Sequence, residues 1–162
     1  MKHDVTGEIF LNGERFNFQK GIGYIEADRG RSFPESYAWV HAGDSVKNYS
    51  VMVSVAKIPF AGFHFQGCIC VVWLDGKEYR LATYKGAKIL RCERGVIELA
   101  QGKYRLTVSI EQRNAHDLAA PQRGEMSRII RESVSCSVRI LFTCDGKVVL
   151  SAENKCGSYE FE

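Results

Sequence analysis

Apolar and polar residues alternate over long stretches of this chain. From Lys103 to Ile110, the residues Tyr104, Leu106, Val108 and Ile110 are separated by Lys103, Arg105, Thr107 and Ser109. A period of two places one face of a strand in a core and the other in water. Val134, Cys136, Val138, Ile140 and Phe142 alternate in the same way with Ser135, Ser137 and Arg139, and Val148–Ala152 repeats the pattern briefly. Turn chemistry joins the runs. Asp75-Gly76 lies between Cys68–Leu74 and Lys77–Tyr84, and Asp145-Gly146 between Val134–Cys144 and Lys147–Glu153. Asn12-Gly13 sits likewise between Glu8–Leu11 and Glu14–Phe18, while Gly95 and Gly102 separate further short strands. These dipeptides accept the positive φ angles of tight hairpin turns, so the pattern predicts antiparallel meanders rather than βαβ units.

Helix is scarce. Gly124–Glu132 predicts one short helix with Met126, Ile129 and Ile130 on one side, and Asn114–Arg123, which contains Pro121, predicts a loop before it. The expected fold is all-β: an antiparallel barrel or a strongly curled sheet with one short helix. Curling hides the sheet edges that a flat sheet of this length would expose.

Composition narrows the picture. The 162 residues suit one domain spanning 1–162, and 45% hydrophobic with 25% charged residues is an ordinary globular balance. A net charge of +3, from 22 Lys and Arg against 19 Asp and Glu, is too small to argue for nucleic acid. Met1–Gly7 has no apolar signal core, and the apolar stretch Phe60–Leu74 is interrupted by Gly62, His64, Gln66 and Gly67. The expectation is therefore a soluble, cytoplasmic protein with no integral membrane segment. Its six cysteines, at 68, 70, 92, 136, 144 and 156, form no C-x-x-C pair and match no zinc module. They read as reduced thiols, several of them small core residues, with no metal site.

The segment Gly21–Trp39 breaks the alternation. It carries Glu26, Asp28, Arg29 and Arg31, then Ser32-Phe33-Pro34, then Tyr37 and Trp39. Opposed charges beside aromatics fit two readings: the rim of a binding site, or an ion pair that pins a loop over the mouth of a barrel. His41 lies two residues beyond Trp39 and shares its face in a regular strand. His64, among Phe60, Phe63 and Phe65, reads as a partly buried structural histidine.

The same segment carries a resemblance. Gly23-Tyr24-Ile25-Glu26, Asp28-Arg29-Gly30-Arg31-Ser32-Phe33-Pro34 and Trp39 are similar to the signature segment of the tocopherol cyclase family and its bacterial relatives. Ala56-Lys57-Ile58-Pro59-Phe60, Ala82-Thr83-Tyr84, Gly86-Ala87-Lys88 and Ala120-Pro121 with Gly124 and Met126 follow in the family's order, so the resemblance runs roughly from Gly7 to Glu153. Arg29 stands where the family pattern has Trp, and the chain corresponds to the C-terminal half of that longer pattern.

The resemblance implies a lipocalin-like barrel. It also implies chemistry that closes a ring on a prenylated quinol by protonating an alkene, without cofactor or metal. Such a site needs a proton donor, a greasy pocket and aromatic walls. From the chemistry, Asp28 and His41 are the candidate catalytic donors. Glu26, Arg31, Ser32, Phe33, Tyr37, Trp39 and Tyr84 are the candidate ligand-binding residues. Three functions follow: binding of an apolar or amphiphilic small molecule, cyclisation of a prenylated quinol, or association, either as a homodimer or with a missing N-terminal half.

Overall fold

The computed structural model describes residues 1–27, 30–60, 62–111 and 114–162. It is antiparallel β throughout, with no α-helix among the described residues. Strands β1 (His3–Leu11) and β2 (Glu14–Gly23) form a separate two-stranded hairpin. One meander follows: β3 (Tyr37–Asp44), β4 (Tyr49–Phe60), β5 (Phe63–Leu74) and β6 (Lys77–Ala82). A single 3-10 turn, Thr83–Lys85, leads to a second meander of β7 (Lys88–Glu93), β8 (Val96–Gln101) and β9 (Tyr104–Glu111). The last three strands are β10 (His116–Gln122), β11 (Glu125–Cys144) and β12 (Lys147–Phe161).

The long strands β11 and β12 join the two meanders. Spatial order is β6-β5-β4-β3-β12-β11-β9-β8-β7, and β10 pairs with the first part of β11. The far end of β12 reaches β3 through the pairs Ser158↔His41 to Phe161↔Ala38. The inward-facing residues of the meanders and of β11 and β12 meet in one core, from Val40, Val53 and Cys70 to Leu99, Val108, Ile140 and Tyr159. Tyr79 of β6 meets Phe142 of β11 with ring centroids 5.3 Å apart, which requires the sheet to wrap onto itself. Among the described residues, no ladder closes it. Instead the Gln101 side chain spans the gap, accepting from the Ala82 amide at 3.0 Å and donating to the Arg80 carbonyl at 3.2 Å. The fold is thus a strongly curled sheet whose interior is filled by side chains.

Asn12-Gly13, Asp75-Gly76 and Asp145-Gly146 all turn with both residues at positive φ, as the hairpin signals predict. Two expectations are corrected. The short helix expected at Gly124–Glu132 is the beginning of β11, entered through an Arg123-Gly124 turn with φ of 54° and 93°. An isolated helix of that length is marginal, whereas a strand there satisfies its backbone against β10 from His116↔Glu132 to Gln122↔Glu125. The loop expected at Asn114–Arg123 is largely β10. Pro121 is tolerated because β10 is an edge strand and Pro121 falls at the register shift between Ala120 and Gln122.

The six cysteines are free thiols, with Cys68, Cys70 and Cys136 buried. Among the described residues, no helix is long and apolar enough to cross a membrane.

Candidate functional site

The site lies outside the core. Along β3, Ala38, Val40 and Ala42 point inward, which turns Tyr37, Trp39 and His41 to the opposite face. Ser54 and Ala56 of β4 and Ser158 and Glu160 of β12 share that outer face, since Val53, Val55 and Tyr159 occupy the core. Residues 24–27 and 30–34 lie over it and leave a cavity of about 650 Å³.

This crossing segment is pinned at both ends. At one end Tyr24 stacks on His41 with ring centroids 3.8 Å apart, and Glu26 Oε2 accepts from Trp39 Nε1 at 3.0 Å and from the Tyr24 hydroxyl. At the other, the Phe33 amide donates to the Pro121 carbonyl at 3.0 Å, the Gly124 amide to the Arg31 carbonyl at 2.7 Å, and the Arg123 amide to Ser32 Oγ at 2.7 Å. Arg128 donates to the Pro34 carbonyl at 2.6 Å and lies 3.6 Å from Glu162. The segment is held down, and it roofs a cavity, but Glu26 is engaged by an indole and a phenol.

Of the residues named from sequence, Glu26, Ser32, Phe33, Tyr37 and Trp39 line the cavity together. His41 does not. It sits behind Tyr24, with Nε2 3.1 Å from Ser50 Oγ, which in turn donates to the Met1 carbonyl at 3.1 Å. Burial, helped by the positive amino terminus, pulls its pKa down to about 4, so the ring is neutral at neutral pH. Arg31 contributes its carbonyl to the pinning of the segment and is not among the lining residues. Asp28 lies outside the described residues.

Tyr84 lines a second, smaller cavity of about 340 Å³ with Ile58, Phe65, Gly67 and Ile69. Ser54 and Ala56 belong to both cavities, so the two are neighbours across a floor of small side chains. The first compartment is mixed in character and the second is almost wholly apolar.

No family model, curated protein or solved structure matches this chain.

Glu160 is a lining residue that the sequence reading missed. It is half-buried and accepts a hydrogen bond from the Tyr37 hydroxyl at 2.6 Å. Burial raises its pKa against that hydrogen bond, and the negative charges of Glu132, Glu162 and Glu26 add to the rise. The Tyr37 phenol is itself pushed far up, first by burial and then by Glu160. Glu132, on the segment expected to be helical, and Tyr24 also line the cavity. Among the described residues, no group of three or more His, Cys, Asp or Glu is arranged to hold a metal ion.

Proposed function

We propose that this protein binds an amphiphilic small molecule in a groove on the outer face of its curled sheet. The observation that carries the reading is the shared floor of Ser54 and Ala56 between a mixed compartment and an apolar one. A molecule lying across that floor sets its polar end beside Glu26, Trp39 and Glu160 and its tail against Ile58, Phe65 and Tyr84. The interior of the sheet is filled by core side chains, so the outer groove rather than the interior is the place for a ligand. The reading accords with the prenylated ligand that the sequence resemblance implies.

A titration with Nile red, a neutral apolar fluorophore, tests it. Saturable enhancement with one site per chain is expected, and Ala56→Leu, which fills the shared floor, should abolish it. Absence of enhancement, or enhancement that Ala56→Leu leaves intact, would overturn the reading.

One observation favours a second reading, the cyclase-type proton transfer. Glu160 is a carboxyl of raised pKa beside a phenol and aromatic walls, which are the attributes of a general acid for alkene protonation. In that reading the carboxyl proton adds to the alkene, the quinol oxygen traps the resulting tertiary cation, and the phenolic proton returns to the carboxylate. Incubation with a prenylated hydroquinone should then yield a chromanol that Glu160→Gln does not form. Equal turnover by that variant would refute the role.

A further inference from the structure

The proposed groove still leaves the chemistry of the head group open, and the lining of the mixed compartment bears on it. Three of its lining side chains are acids: Glu26, Glu132 and Glu160. Four are aromatic: Tyr24, Phe33, Tyr37 and Trp39. None of the described lining residues is Lys, Arg or His. The nearby guanidinium of Arg128 is already committed. It holds the Pro34 and Glu35 carbonyls and Glu162, and it lies 5.9 Å from the centroid of the Tyr37 ring.

Resting on the groove reading above, we infer that the mixed compartment takes an organic cation, a protonated amine or quaternary ammonium borne on an apolar tail. The cavity supplies the two features such a head group needs. Aromatic rings attract a cation through their quadrupole, and more strongly where water is excluded. Carboxylates supply the opposite charge, and an incoming cation relieves their mutual repulsion. That repulsion is present here, because Glu132, Glu162 and Glu26 all act to raise the pKa of Glu160. An anionic head would add a further negative charge to the same space. A neutral head would leave the repulsion unrelieved. The adjoining apolar compartment, with Ile58, Phe65 and Ile69, accounts for a tail rather than a small free ammonium ion.

The test uses the full chain and three probes of equal tail length, each below its micellar concentration: decyltrimethylammonium, decanol and decanoate. Calorimetric titration should give the ammonium about tenfold tighter binding than decanol, with decanoate weakest. Glu132→Gln should narrow the gap between ammonium and decanol and leave decanol itself unchanged. Trp39→Phe, which keeps an aromatic ring, should weaken the ammonium less than Trp39→Leu does. Equal binding of the three probes, or preference for decanoate, overturns the cation assignment while the groove reading stands. No binding of any probe overturns both.

Discussion

The Tyr37 hydroxyl donates to Glu160 Oε2 across 2.6 Å, tying β3 to β12 on the outer face of the sheet. The bond holds a half-buried carboxyl that burial and three neighbouring acids otherwise push toward the protonated form. Tyr37→Phe should therefore raise the Glu160 pKa further. It should also cost about 1.5–3 kcal/mol at neutral pH, the worth of a hydrogen bond to a charged group. Chemical denaturation at pH 7 and carboxyl titration by NMR would measure the two effects. An unchanged Glu160 titration would show that the contact has no energetic weight.

Glu160 and His41 should bend the pH profile of stability in opposite directions. The folded protein holds the Glu160 proton to higher pH than the unfolded chain, so stability falls as pH rises above the ordinary glutamate range near 4.5. His41 has the reverse sense. Its folded pKa of about 4 lies below the unfolded value of 6.5, so stability falls as pH drops through that window. Glu160→Gln should expose the His41 slope, and His41→Gln should expose the Glu160 slope. Melting temperatures between pH 3.5 and 7.5 would separate them, with slopes of opposite sign expected in the two variants. Parallel profiles for wild type and both variants would contradict this account.

Gln101 stands in for a missing ladder between β6 and β8. Its side-chain amide satisfies the buried Ala82 amide and the Arg80 carbonyl at once. Gln101→Leu leaves both without that partner and should destabilise the fold by about 2 kcal/mol, roughly 4–8 °C in Tm. Gln101→Glu keeps the acceptor and loses the donor, so its cost should be smaller. Hydrogen exchange at Ala82 should accelerate in the Leu variant first. If the two variants proved equally stable, closure through this side chain would not matter.

Much of the fold was legible from the alternation, because the core faces of β9 and β11 follow it. Leu106, Val108, Ile110, Val138, Ile140 and Phe142 are all buried. The reading failed where the register changes. Val134, expected inside, is exposed, while Ser133 is fully buried, because the β11–β12 pairing shifts between Ser133 and Cys136. The same irregularity hid part of the site. Asn154–Gly157 does not alternate, so period two does not carry past Glu153 and assigns no face to Glu160, which shares one with Trp39. Glu132 was hidden differently. A short apolar run fits helix or strand equally well, and only the pairing with β10 decides between them. Tyr37, Trp39 and Glu26, which line the cavity, stand out by type alone, as aromatics and a charge in a non-alternating segment.

Gly67 offers a way to separate tail from head in the proposed groove. It pairs with Ala56 across β4 and β5 and lines the apolar compartment. A Cβ added there would meet Ile58 Cδ1 at 2.7 Å and Phe65 Cε2 at 3.3 Å, both ends of side chains that can swing aside. Gly67→Val should therefore fold, since the position is a strand interior that suits a β-branched residue. The valine would occupy the space meant for a tail. In the wild type, lengthening an alkyltrimethylammonium by one methylene should tighten binding about fourfold, the equivalent of about 0.8 kcal/mol per buried CH₂. In Gly67→Val that gain should vanish beyond the shortest tails, while affinity for tetramethylammonium, which needs only the head compartment, stays the same. A variant that keeps the full chain-length dependence would place the tail elsewhere and separate the two cavities functionally.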